Sequence, residues 1–330
     1  MEIGLTEWIA VTDNSSVGEA RRAALSIAQN LGLDETRSGE FALLTTEASR
    51  NVLIHGGGGQ VILMGVKENG DAVARILAID KGSGIANIAE AMGDGYSTAG
   101  TLGGGLGAMK RMASRFEIFT SHTGTIALIE IGKDTPGKAL QVAGMAVPYP
   151  GERVCGDGWF THQSPDRTLA LIVDGLGHGF GAAEAAQEAV TMFRHRVHLT
   201  PSEILSYIHD ALRKTRGAVA AIAEIRPKEN LLLYAGVGNI SAVLLAHGAS
   251  KSLVSHNGTL GMTAPKIQEF RVDWEPDAVL ILHSDGLHSK WDLAPYAGLL
   301  SRHAAVIGGA LFRDFRRHRD DASVVVVKAA

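Results

Sequence analysis

Cysteine is almost absent from this chain of 330 residues: Cys155 is the only one, so no intrachain disulfide can form and a reducing, cytoplasmic setting is expected. A surplus of charge is missing too. The net charge of −4 and isoelectric point of about 6.4 lack the basic signature of a nucleic-acid binder or of a protein held to acidic membranes. No apolar run approaches the ~20 residues of a membrane span. The first ten residues carry Glu2 and Glu7 without a basic stretch, so no secretory leader is expected there. Repeats and low-complexity tracts are lacking. What is left is a globular composition, 45% apolar and 20% charged, with length for about two domains.

Glycine is abundant, at 40 residues, and much of it flanks acidic residues. In the second half four turns stand out: Gly156-Asp157-Gly158, Asp174-Gly175-Leu176-Gly177-His178-Gly179, Ser284-Asp285-Gly286 and Asp320-Asp321. Three of them adjoin apolar runs that read as strands, Leu169 to Val173, Ala278 to His283 and Ala322 to Val327. Strand ends thus deliver carboxylates toward one point. Asp-Gly turn chemistry accounts for any one of these sites, but not for the set. Clustered carboxylates need a neutralising cation, and an all-oxygen donor set suits Mg²⁺ or Mn²⁺.

The polar stretch at 133–141 reads as a linker between a domain at 1–132 and one at 142–330. In the first, Ser16 to Glu19 reads as a capping box opening a helix to Leu31, stopped by Gly32. A second helix is expected from Asp34 to Ile54, then strands at Val61–Lys67 and Ala72–Ile79 joined by an Asn69-Gly70 turn. A glycine-rich loop leads to a helix at Leu106–Ser114 and strands at Phe116–Ser121 and Thr125–Ile131. The expected fold class is α/β, with helices layered on one face of a mixed sheet. The second domain is richer in strands, with helices at Gly181–Arg196 and Pro201–Arg213, and reads as two packed sheets flanked by helices. The basic run Arg313 to Arg319 reads as a solvated helix end.

Glu47, Asn51 and His55 share one helix face at i, i+4 and i+8. Asp80-Lys81-Gly82-Ser83-Gly84 follows a strand, and Gly103-Gly104-Gly105-Leu106-Gly107 opens a helix, where free amides suit phosphates. With Asp94 to Gly100 and the run on to Met112, this order of pieces resembles the ATP-binding fold shared by gyrase and histidine kinases, and within it the small serine kinases of bacterial partner-switching and stressosome pathways. The resemblance covers about Asp13 to Ile131. It implies a two-layer sandwich of the Bergerat type that binds ATP and Mg²⁺. Asn51 would hold the Mg²⁺, Glu47 would orient or deprotonate the attacking serine hydroxyl, and Asp80 would accept from adenine. Gly82 and Gly84 would shape the pocket, and Gly103, Gly105 and Gly107 would cradle phosphates.

From about Gly144 to Val327 the acidic turns, together with Gly236-Val237-Gly238-Asn239 and His256 to Gly261, resemble the metal-dependent Ser/Thr phosphatases of the sporulation and stress-response branch. That implies an αββα four-layer sandwich with two Mn²⁺ or Mg²⁺ ions. Asp174 would bridge the metals, Gly175 would offer its carbonyl, and Asp157, Asp285 and Asp320 would complete the shells, with Asp321 orienting Asp320. Cys155 is an inert thiol on this reading. Eukaryotic relatives carry a histidine two residues past the bridging aspartate; here Leu176 stands there, and His178 reads as a loop residue. The two resemblances together imply a cytoplasmic kinase–phosphatase acting on STAS-domain anti-sigma-factor antagonists or stressosome scaffolds, with no nucleic acid or membrane partner; relatives often dimerise, and a homodimer is left open. A phosphatase with an ATP-sensing front domain is the alternative. A non-catalytic sequestering module is a third, disfavoured because Glu47, Asn51 and the metal aspartates are all intact.

Overall fold

The computed structural model describes residues 2–68, 71–93, 105–132, 140–152, 154–264 and 266–330. The Asn69-Gly70 turn, most of the glycine-rich loop including Gly103, and the linker residues 133–139 lie outside them. The chain divides into two compact units, Met1–Pro136 with Leu293–Arg313, and Gly137–Asp292 with Asp314–Ala330.

The first unit opens with β1 (Glu2–Val11), α1 (Asn14–Leu31), α2 (Glu35–Ile54), β2 (Gly59–Glu68) and β3 (Asp71–Asp80). It continues with the short α3 (Ile88–Ala91), α4 (Leu106–Met112), β4 (Arg115–Ser121) and β5 (Gly124–Ile131). The capping box of α1 is Asp13 with Ser16 rather than Ser16 with Glu19, because the Asp13 side chain takes the Ser16 amide at 2.9 Å. Gly32 ends the helix in the left-handed region, at φ 71°. The sheet order is β1-β2-β3-β5-β4 and every pair is antiparallel, which corrects the mixed sheet expected. Two helices in succession return the chain to the end of the sheet it left, so β2 runs against β1, and the later neighbours pair antiparallel as well. Val17, Ala24, Ile27, Phe41, Leu44 and Val52 bury one sheet face through Val61, Leu63, Ile76 and Ile129.

The second unit holds β6 (Leu140–Val147), β7 (Asp157–Gln163), β8 (Thr168–Gly175), α5 (Phe180–His195), α6 (Pro201–Ala211), β9 (Ala218–Arg226) and β10 (Leu231–Val237). Then come β11 (Ser241–Ala246), β12 (Ala249–Leu253), β13 (Phe270–Asp273), β14 (Val279–His283) and β15 (Ala322–Ala329). They form two five-stranded antiparallel sheets, β13-β10-β9-β8-β7 and β12-β11-β14-β15-β6. Gly144 on β6 brings the sheets close: a Cβ there would lie 2.3 Å from the Trp159 ring on β7. Phe193 of α5 and Ile204, Leu205 and Ile208 of α6 cover the first sheet through Leu169, Leu171 and Ile222. The capping box of Thr200 and Glu203 starts α6, at the Pro201 where the sequence places the helix. This is the α/β class and phosphatase-type sandwich read from the sequence. No helix among the described residues is long and apolar enough to cross a membrane.

Helix α7 (Ala304–Phe315) was not foreseen. Its residues 293–313 fall in the first unit, although the sequence boundary assigns them to the second domain. Ile62, Leu77, Ile79, Ile126 and Leu128 alternate with the core residues named above and are also fully buried. A Cβ on Gly309 would sit 3.2 Å from both Ile126 and Leu77, and the Phe312 ring lies 6.2 Å from Trp8. So α7 covers the sheet face that α1 and α2 leave bare. It is buried on all sides from Ala304 to Arg313, and a helix that is apolar all round has no amphipathic period to detect. Arg313, 3% exposed, is therefore not part of a solvated helix end, and Arg316 is only half exposed; Arg317 and Arg319 are exposed as read. Gly309→Leu should overpack this contact, costing about 1–3 kcal/mol and lowering the melting temperature by about 5 °C in thermal unfolding.

Candidate functional sites

In the first unit a cavity of about 340 Å³ is lined by Glu47, Asn51 and His55 from α2, Asp80 at the end of β3, Gly84, and Gly105 at the start of α4. The i, i+4, i+8 face of α2 thus opens onto it as expected. Asp80 is fixed by two backbone amides: its Oδ1 accepts from Gly82 at 2.9 Å and from Thr125 at 3.1 Å. Its neighbours are glycines for a steric reason. A Cβ on Gly124, at φ 122°, would lie 2.1 Å from the Asp80 carbonyl oxygen, and one on Gly84, at φ 77°, would lie 2.2 Å from that of Ser121. Gly82 packs on the His55 carbonyl, and Gly107 packs on that of Met92 rather than lining the cavity. His55 caps α2 with its amide bonded to Asn51. Glu47 pairs with Arg50 at 3.3 Å. The cavity combines an apolar wall of Ala78, Ile118 and Met109 with carboxylates at opposite roles: one held by amides, one beside an amide side chain, Asn51.

In the second unit Asp157 and Asp174 face each other across β7 and β8 as register partners, and same-face partners in a sheet are close neighbours. Burial pushes the Asp174 carboxyl up to about 9, with the charges of Asp157, Asp285, Asp320 and Asp321 adding to it. Burial likewise raises Asp157 to about 7, against the hydrogen bonds of Ser284 and Ser323; the Ser323 hydroxyl donates to Oδ2 at 2.8 Å. Asp320 is raised by burial as well. Asp285 accepts from Asn239 Nδ2 at 2.8 Å. The Gly175 amide bonds the Gly156 carbonyl at 3.0 Å, tying the two acidic turns together. Asp321 is 2% exposed. Its Oδ1 accepts the Tyr149 amide at 2.7 Å, and its own amide donates to Asp320 Oδ1 at 2.9 Å. It is therefore the backbone of Asp321, not its side chain, that reaches Asp320. Asp321 Oδ2 is buried with no hydrogen-bond partner among the described residues.

The structure brings Asp157, Asp174, Asp285 and Asp320 into one electrostatic neighbourhood. Among the described residues no group of three or more His, Cys, Asp or Glu side chains is gathered closely enough to hold a metal ion by itself. The donor set nevertheless fits hard divalent ions: it is all oxygen, mutually repelling and partly buried, and Mg²⁺ typically takes few carboxylates and keeps waters. Cys155 has its thiol pushed up by burial and then by Asp157 and Asp321, so it stays protonated and unreactive. His178 bonds Glu152 through Nδ1 at 3.0 Å and stacks on Tyr149 at 4.9 Å, as a loop residue does. Sequence reasoning missed Ser323 and Tyr149. Ser323 had a visible signal, a hydroxyl inside an otherwise apolar strand; Tyr149 had none.

Residues 164–330 match the family model described as stage II sporulation protein E (SpoIIE), and residues 10–130 match a histidine kinase-like ATPase domain. The serine/threonine-protein kinase RsbT of Bacillus subtilis is 32% identical over 114 residues, spanning 34% of this chain and 80% of its own. The phosphoserine phosphatase RsbX of the same organism is 26% identical over 139 residues, 42% of this chain and 70% of its own. A solved structure of RsbX in complex with magnesium superposes with a TM-score of 0.54 at 20% identity, over 66% of this chain and all of that one. A structure described under the bacterial stressosome, a modular system adapted to control secondary messenger signalling, gives 0.54 at 27% identity over 58% of this chain and all of that one.

The carboxyl groups give a signed pH test. Asp157 and Asp174 bind protons more tightly folded than unfolded, so without divalent ions their contribution to stability is fully present below about pH 4 and is lost as pH rises toward about 9. Thermal melts in a chelator should show this decline between pH 5 and 8. Asp174→Asn should flatten it, and Mg²⁺ should raise the melting temperature most at the high-pH end; a flat wild-type profile would refute the arrangement.

Proposed function

The chain belongs to the SpoIIE family, and from that premise we propose that its second half is a divalent-metal-dependent phosphatase of phosphoserine or phosphothreonine, preceded by an ATP-dependent serine kinase. The observation that carries the phosphatase reading is the raised Asp174 carboxyl among four other aspartates: such a group is ionised at neutral pH only with cations beside it. Asp174 and the Gly175 carbonyl, with Asp157, Asp285 and Asp320 directly or through water, would hold Mg²⁺ or Mn²⁺ ions. Bound ions of this kind acidify a water and neutralise the phosphate. The protein's own part is orientation: Ser323 steadies Asp157, Asn239 steadies Asp285, and the Asp321 amide steadies Asp320.

In the first half Asp80 would read the adenine amino group, Asn51 would hold a Mg²⁺ on the phosphates, and the amides from Gly105 onward would contact them, with Gly103 contributing from the preceding loop. Phosphoryl transfer asks chiefly for positioning and charge neutralisation, and Glu47 would orient the attacking hydroxyl. The substrates of both halves would be small STAS-domain regulators in a cytoplasmic partner-switching or stressosome pathway. One observation favours a second reading, in which the first half only senses ATP: Glu47 is engaged by Arg50, a partner that an acceptor for a hydroxyl proton does not need.

Asp174→Ala or Asp285→Ala should reduce release of phosphate from a phosphorylated STAS partner by more than about 100-fold while ADP affinity, measured by calorimetry, is unchanged. Loss of both together would contradict independent sites. Glu47→Ala should abolish transfer of radiolabelled γ-phosphate to the partner and keep nucleotide. If wild-type protein binds ATP, shows no transfer to any STAS partner, and changes its phosphatase rate with ATP, the sensing reading replaces the kinase.

A further inference from the structure

The β4–β5 turn stands behind the cavity of the first unit, bonded to the Asp80, Ile85 and Thr125 that line it. Ile85 donates its amide to Thr120 Oγ1 at 2.8 Å, Thr125 donates its amide to Asp80 Oδ1 at 3.1 Å, and the Ser121 carbonyl leaves room for nothing larger than glycine at position 84. Displacing this turn moves Asp80 and the Gly84–Ile85 segment together. Yet the turn is a tight loop of small polar residues, Ser121-His122-Thr123-Gly124, with little apolar surface to hold it.

One side chain from far along the chain does hold it. Arg313, on α7, donates from Nη2 to Thr123 Oγ1 at 2.7 Å and reaches Ser121 Oγ at 3.4 Å. Those two hydroxyls lie 2.8 Å apart, and Ser121 Oγ also takes the Thr123 amide at 3.2 Å. The guanidinium is 3% exposed. A charged donor buried on two neutral hydroxyls makes stronger bonds than neutral partners would, and the single nitrogen Nη2 serves both hydroxyls.

We propose that Arg313 is a positioning residue of the nucleotide site: it sets the β4–β5 turn and, through Thr125 and Gly84, the orientation of the base-reading carboxylate Asp80. This rests on the reading of the first unit as an adenine-nucleotide site. It assigns to residues after position 292 a part in a site otherwise built wholly from residues before 132. The first unit's nucleotide affinity then depends on a segment that the sequence places between Asp285 and Asp320.

The test uses the full-length protein and two probes in titration calorimetry, ADP and inorganic tripolyphosphate, both with Mg²⁺. ADP engages Asp80 through its base; tripolyphosphate does not. Arg313→Ala should weaken ADP about tenfold and leave tripolyphosphate within about twofold, so the effect is on base reading. Thr123→Val, which removes the acceptor hydroxyl and keeps the shape, should weaken ADP in the same direction with the same selectivity. Arg313→Lys should restore only part of the loss. Equal weakening of both probes in Arg313→Ala, or a Thr123→Val protein with wild-type ADP affinity, would overturn the proposal in favour of a purely structural arginine. If Arg313→Ala does not fold, Thr123→Val decides alone by the same criterion. Failure of wild-type protein to bind ADP would instead overturn the nucleotide reading itself, and the proposal with it.

Discussion

Like-charge repulsion is the constraint around which the second unit is arranged. Asp157 and Asp174 stand side by side on adjacent strands, where the sheet fixes their separation and neither can swing away. Three further aspartates are brought near by turns at the ends of other strands. Burial makes the repulsion worse by removing water. Evolution of a structural core would dispose of such a group; here it is buttressed instead. Ser323 sits inside an apolar strand to bond Asp157, Asn239 is turned onto Asp285, and the tight Gly156 and Gly286 positions let Asp321 and its carbonyl approach. The surrounding structure holds the carboxylates together at a cost in repulsion, and a cation bound among them would turn that cost into binding energy.

The first unit solves a different problem, that of presenting one carboxylate with a defined edge. Asp80 gives one oxygen to the Gly82 and Thr125 amides, so its rotation is fixed before any ligand arrives. Such preorganisation lowers the ordering cost of binding. The glycines at 84 and 124 follow from the same requirement, since each has a backbone carbonyl where a Cβ would go and a backbone φ that side chains avoid. Their presence in the sequence is a by-product of packing a turn against a strand end, and only secondarily a sign of phosphate chemistry.

What could be read from the sequence was what has local grammar. The acidic turns, the Asn51 face of α2, the α6 capping box and most strand positions depend on near neighbours and are found where the spacing puts them. The α1 capping box was shifted because Asp13 and Ser16 compete with Ser16 and Glu19 for the same local signature, and only geometry separates them. The antiparallel first sheet depends on two helices in a row returning the chain, which periodicity does not encode. Helix α7 was invisible for a related reason: Ala304 to Phe312 includes two glycines and no polar face, so neither helical period nor cap marks it. Arg313, at the end of that helix, was misread with the exposed arginines that follow, since a run of basic residues gives no hint that one of them is bonded to Ser121 and Thr123, 190 or more residues earlier.

The path of the chain has a consequence for how the units can vary. A single cut near residue 136 does not separate them, because the first unit takes its second covering helix from 293–313. That segment leaves the second unit at Leu293, eight residues after Asp285, and the second unit resumes at Asp314, six before Asp320. The two halves therefore differ in kind from a pair of domains strung on a linker. The fold of the first is completed by a helix whose sequence lies between two aspartates of the second, so an insertion or deletion within 293–313 acts on the first unit's sheet although it falls inside the second unit's stretch of sequence.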